Sequence, residues 1–89
     1  MDRFTLAAAL RDAGVSGYAY QIEGVHEHDI APVSYYFLRR RQGTWQIGVF
    51  ERGVFAVAGE YTTEHDACTA LWTRLTTEQA SHENPSWGD

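Results

Sequence analysis

Residues 34–58 decide the fold, and they read SYYFLRRRQGTWQIGVFERGVFAVA. Three runs rich in aromatic and β-branched residues predict three strands, at residues 34–40, 44–50 and 54–58. The connections between them, residues 41–43 and 51–53, are three residues long and end in Gly, which indicates a type I turn followed by a left-handed bulge residue. Connections this short join antiparallel strands, so the sequence predicts a three-stranded meander.

The length of these loops sets the register of the hairpins, and the register decides which side chains share a face. With three-residue loops, Arg40 pairs with Thr44 and Phe50 pairs with Val54. The face predicted to form the core then carries Tyr35, Phe37, Trp45, Ile47, Val49, Phe55 and Val57. The opposite face carries Tyr36, Leu38, Arg40, Gln46, Gly48, Phe50, Ala56 and Ala58. A two-residue loop in the second hairpin would instead bring Ala56 and Ala58 into the core, which they fill less well.

Helical patterns flank the meander. Residues 3–13 follow an Asp2 N-cap and stop before Gly14, while a capping box at residues 63–66 opens a second helix that runs to about Glu78. Residues 18–23 alternate as a fourth strand. The predicted fold is an α+β two-layer domain, an antiparallel four-stranded sheet with an N-terminal and a C-terminal helix in the order α-β-β-β-β-α. Residues 1–80 form this single domain, and residues 81–89 form a flexible polar C-terminal tail.

The composition bounds the function. The chain has 89 residues, 44% of them hydrophobic, with 7 cations against 12 anions for a net charge of −5. A direct nucleic-acid binder needs a basic face, which this acidic chain does not predict. No apolar run reaches the roughly 20 residues of a membrane span, and no signal pattern opens the chain. The single cysteine, Cys68, cannot form an intrachain disulfide. A cytoplasmic protein without a membrane anchor is expected.

Two groups of residues invite a chemical interpretation. Within the 24–31 loop, His26, Glu27, His28 and Asp29 offer donors to a transition metal, but they match no established ligand spacing. Cys68 lies three residues after His65, yet it falls on the apolar stripe of the last helix, where cysteine is usually an inert hydrophobe. Without a nucleophile, a base and an orienting third group, we expect no enzymatic activity, no metal and no cofactor.

Several segments resemble small immunity-type proteins that are encoded beside polymorphic toxins in actinobacteria. The resemblance covers most of residues 6–75 and is carried by LRDAGV at 10–15, YQIEG at 20–24, YFL at 36–38, GTWQI at 43–47, FERG at 50–53 and EHDACTAL at 64–71. It implies a binding role: the protein neutralises a cognate toxin domain, often a nuclease or a nucleotide-modifying enzyme, by occluding its active site.

The predicted partner surface combines acidic connections with the second sheet face. Acidic residues steer association with a basic partner, and aromatic side chains left outside the core are typical anchors. The expected contacts are Glu23, Glu27, Asp29, Tyr36, Gln46 and Phe50. Two alternatives stay open: a small-molecule or metal-binding domain that uses the 24–31 loop, and a homodimeric interaction module.

Overall fold

The computed structural model describes residues 1–30 and 32–83 and confirms the α+β class and the order α-β-β-β-β-α. A four-stranded sheet in the order β1-β2-β3-β4 packs against two helices. The elements are α1 (Arg3–Asp12), β1 (Tyr20–Ile22), β2 (Ser34–Arg41), β3 (Thr44–Glu51), β4 (Val54–Tyr61) and α2 (Glu64–Glu83), and a 3₁₀ turn at Gly17–Ala19 precedes β1.

The sheet is mixed, because β1 runs parallel to β2 while β2, β3 and β4 form the predicted antiparallel meander. Tyr20 pairs with Tyr36 and Ile22 with Leu38. A parallel neighbour requires the chain to return to the other end of the sheet before the next strand, which takes about a dozen residues. The segment between β1 and β2, residues 23–33, has that length, and we call it the crossover.

Both helices begin as the sequence predicts. The Asp2 carboxylate accepts the Thr5 N–H at 2.8 Å, and Thr63 Oγ1 accepts the Asp66 N–H at 3.1 Å. α1 ends in a Schellman motif in which Gly14 takes a φ of 80°. α2 extends past the predicted end to Glu83, so the first three residues of the predicted tail are helical, and residues 84–89 lie outside the described residues.

The predicted hairpin register is wrong by one residue in both turns. Arg41 pairs with Thr44 and Glu51 with Val54, so each loop has two residues instead of three. Both residues of each loop have positive φ, 54° and 78° at Gln42 and Gly43, and 52° and 86° at Arg52 and Gly53. This is the type I′ conformation, whose twist matches that of the flanking strands. A final Gly fits this turn as well as the bulged one, so the glycine alone did not distinguish them.

The corrected register changes which sheet face the helices cover. Leu38, Trp45 and Ile47 form the core with residues from α1, α2 and β1: Leu6, Leu10, Val15, Tyr20, Ile22, Ala67, Cys68, Leu71 and Leu75. Trp45 and Ile47 were predicted correctly. Tyr35 and Phe37 are buried as predicted, but the one-residue shift turns them to the face opposite the helices. Phe55 and Val57 lie on that same face and are exposed, so their assignment to the core was wrong.

Phe37 is 1% exposed although it lies on the face opposite the helices. Its direct cross-strand neighbour is Gly48, and a Cβ added at Gly48 would lie 2.8 Å from Phe37 Cζ and against the Ala56 carbonyl oxygen. The ring therefore occupies the space above a position without a side chain. A close approach between backbone and ring is the reason that β3 carries a glycine at its centre.

We expect Gly48→Ala to lower the free energy of unfolding by about 1–3 kcal/mol, because Phe37 and the β4 backbone must shift to admit the methyl group. Gly17→Ala is the matched control, since its added Cβ would make only ordinary contacts at 3.4 Å with His26. Urea denaturation followed by tryptophan fluorescence measures both. Equal stability of the two variants would contradict the proposed packing of Phe37 over Gly48.

Candidate functional site

The sheet face opposite the helices is the candidate binding surface, and we call it the open face. Within the described part of the chain the helices pack on the other side, against Leu38, Trp45 and Ile47. The cross-strand pairs Phe37–Gly48, Arg39–Gln46, Phe50–Phe55 and Gly48–Val57 place their side chains on the open face. The open face comprises Tyr35, Phe37, Arg39, Gln46, Phe50, Phe55, Val57 and Glu60.

Four aromatic rings form a continuous cluster on the open face. Phe50 stacks on Tyr35 at a centroid distance of 4.9 Å and contacts Phe55 at 4.7 Å, while Phe55 meets the edge of Phe37 at 5.2 Å. Tyr35 and Phe37 are buried, whereas Phe55 is 44% and Val57 is 42% exposed. The inner rings thus support an outer apolar strip that faces solvent.

A polar ladder crosses the open face beside these rings. Arg39 Nε donates to Gln46 Oε1 at 2.9 Å, and Gln46 Nε2 donates to Glu60 Oε2 at 2.8 Å. The Arg39 guanidinium also lies over the rings of Phe37 and Phe55, with Cζ 5.0 and 4.7 Å from their centroids. These contacts hold Arg39 and Glu60 in fixed positions and give the surface one cationic and one anionic group next to an apolar strip.

The predicted contact residues do not lie on one surface. Phe50 and Gln46 belong to the open face, but Tyr36 lies on the helix-covered face, half-buried beside Thr73 and Thr77 of α2. The prediction that Tyr36 and Phe50 share a face is therefore wrong, because a one-residue change of register in β2–β3 separates them.

The acidic residues of the crossover have structural contacts of their own. The Glu23 carboxylate accepts the Arg40 backbone N–H at 3.0 Å and Arg41 Nη1 at 2.9 Å, so it ties the crossover to the end of β2. The Glu27 carboxylate accepts the Gly24 N–H at 2.6 Å. Asp29 is exposed. A partner-binding role for these three carboxylates stays a prediction.

Two histidines hold the crossover against the rest of the domain. His26 Nε2 and His28 Nε2 both lie 2.8 Å from the Gly17 carbonyl oxygen. His26 packs on Tyr20, and His28 contacts the Tyr35 ring edge on at 5.4 Å. The described residues hold no group of three or more His, Cys, Asp or Glu side chains placed to bind a metal ion. The two imidazoles thus act as packing and hydrogen-bonding groups in this structure.

A groove of 490 Å³ runs between α1 and the start of the crossover. Its lining includes Arg11 of α1, Tyr20 of β1, and Val25 and His26 of the crossover. This is where the small ligand of the alternative function would fit. Burial raises the pKa of the Tyr20 phenol above its ordinary value.

Cys68 is fully buried between the helices and the sheet. Desolvation, with a smaller contribution from the Glu64 carboxylate, raises the pKa of its thiol to about 11. The neighbouring His65 lies on the surface, with Nδ1 2.6 Å from the Met1 amino nitrogen. A thiol that stays protonated and has no access to solvent lacks the features of a nucleophile.

Of the eight residues of the open face, six were not among the contacts predicted from the sequence. Tyr35, Phe37, Phe55 and Val57 were assigned to the face under the helices, and Arg39 and Glu60 were not expected as contacts. The four wrong assignments follow from the one-residue error in the hairpin register. The local sequence offers no signal that decides the register, because Gln-Gly and Arg-Gly lack the Asn or Asp typical of type I′ turns.

No protein-family model, curated protein or solved structure matches this chain. Among the residues that the structure describes, no helix combines the length and apolar character needed to cross a bilayer. The chemical character of the open face is therefore the main guide to function.

The hydrogen bonds that the Glu23 carboxylate accepts from Arg40 and Arg41 of β2 predict a pH dependence of stability. The hydrogen bond from the Arg40 backbone, with the smaller contribution of Arg41, lowers the pKa of the Glu23 carboxyl below its ordinary value of 4.5. Because the pKa of Glu23 is lower in the folded protein than in the unfolded chain, the ionised carboxylate stabilises the fold above the unfolded value of 4.5. This stabilisation is lost as the pH falls through the pKa of the folded protein. We expect Glu23→Gln to flatten the loss of stability below pH 4.5 and Arg41→Ala to flatten it less. Chemical denaturation over a pH series measures this, and parallel curves for all three proteins would contradict it.

Proposed function

We propose that this chain is an immunity-type protein that neutralises a cognate toxin domain by occluding its active site, and that the open face is the surface that binds the toxin. The observation that carries the proposal is the apolar strip of Phe50, Phe55 and Val57, supported by buried rings on a sheet face that carries no helix in the described structure.

The composition of the open face favours a protein partner. Aromatic residues and arginine are enriched at protein interfaces and dominate their energetic hot spots. Here the Phe55 ring is held by Phe37, Phe50 and the Arg39 guanidinium, so little side-chain freedom remains to be lost on binding. An open, preorganised aromatic surface with a polar border suits a folded protein partner. Small molecules bind instead in clefts or cavities that enclose most of their surface.

Electrostatics favour a basic partner. The chain carries a net charge of −5, although on the open face itself the charge of Glu60 is balanced by that of Arg39. Asp29 is exposed in the crossover, next in sequence to His28, whose ring contacts Tyr35 of the open face. Toxins that act on nucleic acids or nucleotides present basic clefts, and an acidic protein is steered toward such a cleft. The resemblance to immunity-type proteins points to the same class of partner.

The proposal predicts that a large protein ending in a toxin domain is encoded immediately upstream of this chain, and absence of such a neighbour would contradict it. The C-terminal domain of that neighbour is expected to arrest the growth of a bacterial host, and co-expression of this chain is expected to restore growth. Phe55→Ala is expected to weaken the purified complex by about 2 kcal/mol, roughly 30-fold in Kd, because it removes a central anchor of the open face. Isothermal titration measures the affinity.

Phe4→Ala is the matched control, since Phe4 is an exposed aromatic residue on α1, in the helix layer. It is expected to leave both growth rescue and affinity unchanged. If the neighbouring toxin domain does not bind the chain, the proposed function is wrong. If Phe4→Ala weakens binding and Phe55→Ala does not, the toxin binds the helix layer and the assignment of the open face is wrong.

A further inference from the structure

The groove between α1 and the crossover exists because one face of α1 carries small side chains at its centre. Phe4, Ala7, Ala8 and Arg11 recur at positions i, i+3, i+4 and i+7, so they share one face of the helix, and all four line the groove. The two alanines leave space that larger side chains would fill. Phe4 is 64% exposed, so the fold leaves its ring uncovered beside this space.

The hydroxyl of Tyr20 is a polar group that the fold itself does not use. Tyr20 belongs to the core and is only 3% exposed, yet it also lines the groove. Its hydroxyl makes no hydrogen bond with any residue in the described part of the chain, whereas a buried phenol normally has a partner. Among the described residues, the fully enclosed side-chain atom without a partner is Nδ1 of His28. The Tyr20 hydroxyl is therefore not enclosed, and the groove is the space that it faces.

The crossover holds the Tyr20 ring in place. The His26 ring packs on it at a centroid distance of 4.7 Å. His26 Nε2 in turn donates to the Gly17 carbonyl at 2.8 Å, since a carbonyl oxygen only accepts. Both residues line the groove with Tyr20. The phenol is thus preorganised, and little side-chain freedom remains to be lost when a ligand binds.

The groove carries a charge opposite to that of the whole chain. The net charge of the chain is −5, but none of the described residues that line the groove is Asp or Glu, and Arg11 supplies a cation. Burial raises the pKa of the Tyr20 phenol, and the Arg11 charge lowers it by less, so guanidinium and hydroxyl lie in the same part of the groove. Arg11 Nε lies 4.0 Å from the Asp12 carboxylate, but these side chains are 77% and 79% exposed, so the pair is weak.

We propose that this groove binds a small monocarboxylic acid with an apolar body. The carboxylate accepts hydrogen bonds from the Arg11 guanidinium and the Tyr20 hydroxyl, and the apolar body lies along Ala7 and Ala8 toward the Phe4 ring. One cation and one further donor match the single charge and two oxygens of a carboxylate. A phosphate monoester, with a charge near −2 and three terminal oxygens, would find too few partners here.

The dimensions and lining of the groove support this class of ligand. Sites for small molecules are mostly apolar, with a few placed polar groups, and have volumes of about 300–1,000 Å³. The groove has a volume of 490 Å³. No residue of its lining belongs to the open face, so the inference goes beyond the proposed function and does not depend on it.

The probe for the test is 1-naphthylacetate, titrated into the full chain and followed by amide NMR shifts. It is expected to bind and to shift the amides of Val15, Gly17 and Val25, which line the groove. 1-Naphthylacetamide has the same body without the charge and is expected to bind at least about tenfold more weakly. Acetate, which has no apolar body, and 1-naphthyl phosphate, which has the larger charge, are also expected to bind more weakly.

Tyr20→Phe tests the hydroxyl without disturbing the ring. It is expected to weaken binding of the probe by about fivefold, the effect of one neutral hydrogen bond, and to leave the stability of the fold unchanged. Tyr35→Phe is the matched control, since Tyr35 is equally buried but lies on the open face. This variant is expected to leave the affinity for the probe unchanged.

Two substitutions on the exposed side of α1 test the rest of the groove. Arg11→Gln is expected to weaken binding by at least about tenfold, because it removes the charged donor. Its control is Arg52→Gln, at an exposed turn position whose counterpart in the first turn is already Gln42. Ala8→Leu is expected to abolish binding by filling the groove. Thr5→Leu is its control, since Thr5 is exposed on α1 and does not line the groove.

The proposal fails if millimolar 1-naphthylacetate produces no saturable shift of the groove amides. Equal affinity for the acid and the amide, or tighter binding of the phosphate, excludes a carboxylate site. Equal effects of Tyr20→Phe and Tyr35→Phe exclude the hydroxyl, and unchanged binding by Ala8→Leu places the probe elsewhere. Circular dichroism verifies that each variant is folded. No toxin takes part in these measurements, so their failure is distinguishable from failure of the proposed function.

Discussion

Two tight turns, Gln42-Gly43 and Arg52-Gly53, are the constraint on which the rest of this structure depends. Each holds two successive residues at positive φ, and together they fix the pairing of β2, β3 and β4. Side chains alternate along a strand, so this pairing decides which residues meet the helices. The core and the open face both follow from two connections of two residues each.

The turns place non-glycine residues in a conformation that costs roughly 1–2 kcal/mol per residue. The cost is offset by the packing that the register permits. Leu38, Trp45 and Ile47 come together under α1 and α2, and each large apolar side chain stabilises the fold by roughly 1.5–3 kcal/mol when fully buried. The alanines of β4 are exposed, and the contribution of β4 to this core is the half-buried Tyr61, which pairs with Trp45.

Much of the fold could be predicted from the sequence, because it rests on local signals. Asp2, Gly14 and Thr63 mark helix ends by hydrogen bonds and backbone preferences that act over a few residues, and the meander follows from its β-rich runs. The direction of β1 and the hairpin register were not predictable in this way. The first depends on where an eleven-residue crossover returns to the sheet. The hairpin register depends on a balance between turn strain and core packing. The core joins residues of both helices and the sheet that are far apart in the sequence, so local patterns do not report this balance. Phe50 and Gln46 lie on the face without helices, as the sequence predicted. Tyr36 lies on the helix-covered face because the register of β2 with β3 differs by one residue from the prediction.

The parallel pairing of β1 with β2 has a consequence for how the chain folds. The meander joins neighbouring strands through two-residue loops. Its contacts therefore form between residues near each other in the sequence, and forming them costs little chain entropy. β1 reaches the sheet only after the crossover has closed, and the Arg3 guanidinium, which donates to the Glu23 carbonyl and pairs with Glu64 of α2, links three distant segments. We therefore expect the N-terminal third of the domain to assemble late, onto a meander that has already formed. Substitutions in the two hairpin turns are then expected to change mainly the rate of folding, and substitutions around Arg3 and Glu23 mainly the rate of unfolding.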